Sequence, residues 1–303
     1  MSIATPPIDA TLPRRAAPPR TRPWYVDVWV QMVRRKPLGT VGGVIVLLML
    51  AAAVGAEWIS PYGFAQTSLR ERFITMNGAH WLGTDQLGRD LLTRLIYGAR
   101  ISLYVGFGAV LIGCLLATAV GILSAYFGGR VDMLVQRGVD AWMAFPPLLL
   151  LMSIMSLVGP SVWNITIVLG VAFGIQNSRV VRGVALGIKE HTYIESAWAM
   201  GSGHLAIAVR HILPNTLPTI IVVATTGLST VILTEASLSF LGLGVPPPFP
   251  TWGGMLSLAG LDHMYQAPWL AIWPAVALSL AVFGFNMLGD GLRDLLDPRL
   301  KGG

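Results

Sequence analysis

Apolar residues in this chain gather in long unbroken runs, not at every second position or at every third and fourth. That pattern predicts helices crossing a bilayer, whose hydrocarbon core of about 30 Å asks for about 20 consecutive apolar residues. Six stretches meet or approach that length: 38–59, 101–126, 139–158, 162–176, 219–241 and 268–288. The fourth is short and borrows from its flanks. The first is preceded by 37 mostly polar residues and is too long for the apolar core of a secretory signal, so it reads as a span. The expected fold class is an all-α integral membrane protein with six transmembrane helices.

Composition agrees. Of 303 residues 54% are hydrophobic and 12% charged, against about 25% charged in a soluble domain. The net charge of +6 becomes informative once its sources are placed. Sixteen basic residues fall before span one, between spans two and three, between spans four and five, and after span six. Six spans put all of them on one side, which the positive-inside rule makes the cytoplasm, with both termini there. Arg70, Arg72, Arg89, Arg94 and Arg100, in the 60–100 segment on the other side, break the pattern. Long loops translocate with less regard to charge, so the topology stands. The basic balance is therefore a topology signal and implies no nucleic acid; the lipid bilayer is the first partner.

The polar segments divide the chain further. Residues 1–23, rich in Pro, Ala and Arg, read as a disordered cytoplasmic tail. Residues 24–37 carry Trp24, Tyr25 and Trp29 beside Arg34, Arg35 and Lys36, the pattern of an interfacial helix. A six-span domain follows over 38–290, and 291–303 form a cytoplasmic C-terminus. In the exterior loop 60–100, Gly83-Thr84-Asp85 and Gly88-Arg89-Asp90 predict a tight ordered structure, with Asp90 capping the helix that leads into span two. In the exterior loop 242–267, Pro246, Pro247, Pro248 and Pro250 exclude a helix and leave the segment open to a soluble partner. Gly39-x-x-x-Gly43 and Gly170-x-x-x-Gly174 allow close helix packing.

Much chemistry is excluded. Cys114, the only cysteine, can form neither a disulfide within the chain nor a cysteine metal site. The three lysines follow Arg35, Ile188 and Leu300, so no Walker A Gly-Lys exists and the chain has no ATPase motif of its own. Gly-x-Ser-x-Gly and His-Glu-x-x-His are also missing. No catalytic residue, resident cofactor or metal is expected, and the protein reads as no enzyme. Two acids lie in spans. Glu235 reads as the wall of a translocation path, with Ser237 and Ser239 beside it, or as a hydrogen bond between subunits, or as a carboxylate reaching water at the outer end. Asp140 reads as an interfacial or helix-start acid.

The most informative stretch is "ESAWAMGSGHLAIAVRHILPN", residues 195–215, a polar segment between greasy flanks. It reads as a helix over 192–200, a turn at Gly201-Ser202-Gly203, and a second helix over 204–213 that ends near Pro214. On the expected topology it is a cytoplasmic docking hairpin. It resembles the EAA loop of bacterial ABC importer permeases in Glu195-Ser196-Ala197, Gly201 and Ile212-Leu213-Pro214, departing from the pattern at Ser196 and at the bulky Trp198. "GTDQLGRDLLTRLIYGARISL", "DAWMAFPPLLLLM" and "LTEASLSFLGLGVPPPFPTWGGML" are similar to segments of the dipeptide and oligopeptide branch, in its C-type permease subunit, so the resemblance covers nearly the whole chain.

The resemblance implies a type I ABC importer permease fold in the bacterial cytoplasmic (inner) membrane, with residues 177–217 as the cytoplasmic EAA coupling loop. It implies as partners a homologous second permease subunit, one or two ABC ATPase subunits that use ATP and Mg, and an extracytoplasmic solute-binding protein meeting the exterior loops, with the Gly83 to Asp90 region among them. It implies uptake of dipeptides or oligopeptides by alternating access, or of nickel, glutathione or another small solute by the same machinery. With few charges in the spans, a roomy pathway that reads peptide backbone loosely is expected. An ion-driven secondary transporter is the rival of another class; it would show internal repeats and interrupted spans.

Overall fold

The computed structural model describes residues 32–33, 36–257 and 262–296. The expected tail 1–23, most of the interfacial helix 24–37 and the end of the 291–303 segment lie outside the described residues. Among the described residues the chain is helical, with one isolated antiparallel bridge between Thr84 and Asp90.

The long helices are α1 (Pro37–Val54), α2 (Leu91–Phe127), α3 (Gly129–Met143), α4 (Pro147–Val158) and α5 (Val162–Lys189). Then come the short α6 (Thr192–Ala199), the long α7 (His204–Phe240), the short α8 (Trp252–Leu256) and α9 (Trp269–Leu296). Five of the six expected spans each fall on one long helix, and the third falls on two. Among the described residues α1, α2, α7 and α9 are long and apolar enough to cross a membrane, and the bent pair α3 and α4 makes a fifth if counted as one. Helix α5, over the expected fourth span, is 28 residues long, but its second half carries Gln176, Asn177, Arg179 and Arg182.

Two expectations are corrected. The 139–158 span is not continuous: α3 and α4 meet at 88°. Pro146 and Pro147 explain the break, since a proline excludes the helical conformation from the residue before it and removes an amide, yet suits a helix start, which is where Pro147 stands. The second helix of the 195–215 hairpin does not end near Pro214 but runs on into the fifth span. A π-turn over Ala208–Ile212 precedes Pro214, and the Leu213 amide bonds back to the Ala208 carbonyl. Proline's missing N–H thus falls where the bonding register steps back from i−5 to i−4, a place a helix tolerates.

Helix α2 lies along α5, and glycine makes the approach possible. A Cβ on Gly113 would stand 2.9 Å from the Gly170 carbonyl oxygen, and one on Gly174 would stand 2.9 Å from that of Gly113. Gly121 meets the Ser178 carbonyl at 2.7 Å in the same sense. The Gly170-x-x-x-Gly174 pair is therefore a packing seam. Helix α1 seats on α9 through Gly39 and Gly42, against Gly291 and Gly284. Helix α7 crosses both layers, and its Ser229 hydroxyl donates to the Asn286 side chain of α9 at 2.7 Å.

Helix α3 turns Asp132 and Gln136 toward α2 and α5, while Arg137 stays 78% exposed. Asp132 takes the Arg182 guanidinium (Nε to Oδ1, 2.6 Å), Asp140 pairs with Arg179, and Gln136 donates to Ser124. Val131 and Leu134 face away from the bundle. Asp140 is thus an acid at the helix end held by arginine.

Replacing Gly113 with alanine forces a backbone clash. Overpacking of this kind costs about 1–3 kcal/mol, whereas Gly183 on α5 has open space around it. In a thermal-denaturation measurement in detergent, Gly113→Ala is expected to lower the midpoint. Gly183→Ala is expected to leave it unchanged or raise it slightly, because alanine is the better helix former.

Candidate functional site

The two ends of the bundle carry different polar structures. At one end α6 and the start of α7 form the hairpin that the 195–215 motif predicts. Helix α6 stops in a Schellman turn: the Gly201 amide donates to Trp198 O and the Ser202 amide to Ala197 O. Gly201 has φ +81°, in the left-handed region that a side chain disfavours, so the motif's glycine is what allows the reversal.

One face of the hairpin is fixed to the bundle. Ile194, Ala197, Ile207, Ala208 and Ile212 are buried together with Ala117, Ile122 and Ala125 of α2 and Val181, Ala185 and Ile188 of α5, and Leu213 packs against them. Lys189 donates to the last carbonyls of α2, at Tyr126 (2.7 Å) and Ala125 (3.3 Å). The Tyr126 hydroxyl meets His204 Nδ1 at 2.8 Å. The other face is open: Trp198, Met200 and Leu205 are 64%, 80% and 77% exposed, with Glu195, Ser196 and Pro214 also exposed. A cavity of about 640 Å³ lies between Glu195, Trp198 and His204 and the end of α2. Large apolar groups on a rigid mount are the ordinary make-up of a protein docking surface.

At the opposite end, the 60–90 segment is ordered and built around the Gly83 to Asp90 motif. Thr84 is fully buried; its hydroxyl donates to Glu71 O and accepts from the Ile74 amide. Asp85 accepts from the Leu87 and Arg89 amides and takes Arg89 Nε at 2.6 Å, with Arg94 Nε at 3.6 Å. Asp90 caps α2 by accepting from the Thr93 amide at 2.8 Å, as the sequence predicts, and holds His80 Nδ1 at 2.9 Å. Gly88 leaves no room for a side chain, since a Cβ would stand 1.8 Å from Ser68 O. The motif's charged side chains are buried, with Asp85 holding Arg89 through its Nε, so they shape this end and do not form its outer surface. Two of the arginines that strained the topology meet a carboxylate closely, Arg89 at Asp85 (2.6 Å) and Arg100 at Glu57 (2.7 Å), while Arg94 shares Asp85 at 3.6 Å.

Glu235 is fully buried, which removes the reading of a carboxylate reaching water. It accepts from Ser239 Oγ at 2.7 Å, one turn on, and from Ser102 Oγ of α2 at 3.3 Å. Ser237 is not part of this group: two residues on is the other face of a helix, and its hydroxyl donates to Leu233 O. Ser102 and Arg94 are the residues that sequence reading missed. The signal for Ser102 was a lone hydroxyl in an apolar run; for Arg94 it was a second arginine just past the helix start.

Further cavities lie in the bundle, and two of them adjoin the residues described above. One of about 370 Å³ sits at the α3 and α4 bend, lined mostly by apolar groups including Trp142, Phe145 and Phe173, with Gln176, Thr230 and Thr234. The other, of about 360 Å³, sits between the Gly83 to Asp90 motif and the proline-rich loop. Neither offers a nucleophile and base in contact, and among the described residues no cluster of His, Cys, Asp and Glu is fit to hold a metal. The arrangement can dock and bind.

Comparison with known proteins agrees with this plan. Residues 23–76 match the N-terminal membrane domain of oligopeptide transport permease C. The chain is 39% identical over 287 residues to the dipeptide transport system permease protein of Alkalihalophilus pseudofirmus, covering 94% of each. It is 40% identical over 296 residues to the glutathione transport system permease protein of Pectobacterium atrosepticum, covering 96% of each. To that of Escherichia coli O157:H7 it is 41% identical over 287 residues, covering 92% of each. Residues 109–302 match the inner membrane component of binding-protein-dependent transport systems, so this bundle, with a hairpin fixed at one end and an ordered loop cap at the other, belongs to that family of permeases.

Proposed function

We propose that the chain is one permease half of an ATP-binding-cassette importer for small peptides in the bacterial inner membrane. The observation that carries this reading is the hairpin: an exposed apolar face around Glu195, on a mount buried against the ends of α2 and α5. Such a mount converts a push on the hairpin into movement of two long helices, which is what coupling between distant sites requires. The partners are a homologous second permease, one or two ATPase subunits that bring ATP and Mg and dock on the hairpin, and an extracytoplasmic binding protein at the loop end. Glu195, Ser196, Ala197 and Gly201 form the coupling element, with Ile212, Leu213 and Pro214 joining it to α7.

The names of the relatives support a peptide cargo. A dipeptide permease and two glutathione permeases stand at similar identity, so small peptides, glutathione among them, are the substrate class. Glu235 and Ser239 belong to the packing of α7 against α2 beside the pathway, with Ser237 on the other face. Both termini lie in the cytoplasm, a reading supported by the positive residues at the hairpin end.

Two outcomes are expected. Glu195→Ala combined with Gly201→Asp should leave the chain in the membrane at normal amount and lower peptide uptake at least about 10-fold, while the ATPases still hydrolyse ATP. Normal uptake by the double variant contradicts the proposal. In a Cys114→Ala background, Gly78→Cys should react with a membrane-impermeant thiol reagent applied from outside and Gly203→Cys should not. Both sites have open space for a side chain, and the reverse labelling overturns the orientation.

A further inference from the structure

The cavity between the 83–90 motif and the proline-rich loop has a charge balance that packing alone does not explain. The ionisable groups in its wall are Asp85, Arg89 and Arg94, two guanidinium groups to one carboxylate. The neighbouring acids are engaged elsewhere: Asp90 holds His80 and the start of α2, and Glu235 sits behind Ser239. Arg89 and Arg94 are 9% and 8% exposed, and both line this cavity. Arg89 bonds Asp85 through Nε, and among the described residues its two terminal amines have no hydrogen-bond partner. Nor are they sealed away without one, since the fully buried side-chain atoms lacking a partner are Ser60 Oγ and Thr93 Oγ1. Arg94 gives one terminal amine to Phe64 O at 3.2 Å and sits 3.6 Å from Asp85. Donors of fixed geometry therefore face a space of about 360 Å³, within the ~300–1,000 Å³ of small-molecule sites.

We infer that this cavity is a carboxylate subsite, in which Arg89 and Arg94 receive the free C-terminal carboxylate of a small peptide at the mouth of the permease. The inference rests on the importer reading for the substrate class. Guanidinium groups pair with carboxylates through two parallel N–H bonds, which a lysine cannot reproduce. One excess positive charge in a partly desolvated wall favours a single anion, and the two guanidinium groups carry its recognition, because the Ser239 and Ser257 hydroxyls of the same wall already donate to Glu235 and to Gly254 O. The apolar part of the wall, from Val245, Pro246 and Phe249, suits the remainder of a short peptide without reading its side chains.

The test uses the full chain with its partner permease and ATPases in lipid nanodiscs, without the binding protein, and measures binding of alanyl-alanine and of alanyl-alanine amide by calorimetry. The free acid is expected to bind at least about 10-fold more tightly than the amide, the factor that losing a charge-assisted hydrogen bond gives. Arg94→Gln, which leaves the Asp85 to Arg89 pair in place, is expected to erase that preference, and Arg94→Lys to restore part of it. Equal binding of acid and amide, or a preference that survives Arg94→Gln, overturns the subsite. ATP hydrolysis by the same preparation, with and without the binding protein, reports on the importer reading separately. An active transporter that treats acid and amide alike overturns the subsite alone. A chain that prefers the acid but recruits no ATPase overturns the importer reading alone.

Discussion

The close approach of α2 to α5 sets the position of everything else in the bundle. Between two lipid-embedded helices no hydrophobic force remains, so they hold through backbone-to-backbone contact, and only glycine lets the main chains meet. Gly113 and Gly121 on α2 provide that contact against Gly170, Gly174 and Ser178 on α5. The hairpin cluster is built on the far ends of these same two helices, and the arginine pairs that hold α3 come from α5. A side chain inserted at the seam would move all of these together.

Helix α2 also joins the two ends of the bundle. Its 37 residues, at 1.5 Å each, make a strut about 55 Å long. Asp90 closes its first turn within the ordered loop, and Lys189 closes its last carbonyls beside the hairpin. On the importer proposal, ATPase movement at Trp198 and Glu195 would reach the loop end through one continuous element. The Ser102 to Glu235 bond ties that element to α7, and Trp252, which donates to Leu95 O, ties it to the segment after the proline-rich loop.

The sequence made the helices legible because the bilayer leaves few alternatives: long apolar runs must close their hydrogen bonds internally. The Asp90 cap and the Gly201 turn were also legible, being local chemistry between neighbouring residues. What hydropathy could not carry was direction and continuity. Pro146 and Pro147 lie inside an apolar run, so the window that finds a span averages across the 88° bend. Pro214 looked like a helix stop, and only the π-turn before it shows how the helix survives. The Gly83 to Asp90 motif was legible as ordered, but its bonds to the rest of the structure at Thr84 and Leu87 come from Ser68, Glu71, Ile74 and Trp269, residues up to nearly two hundred positions away. Ser237 was grouped with Glu235 by nearness along the chain, whereas a helix separates positions two apart.

The claim on which the account turns is that the exposed hairpin carries the ATPase. A photo-crosslinking amino acid in place of Trp198, in cells expressing the intact transporter, tests it directly. The account expects the main adduct to be an ATPase subunit, with a yield that changes when ATP is withdrawn. Adducts with lipid or with an extracytoplasmic protein, and none with an ATPase, would contradict both the docking role and the orientation of the chain.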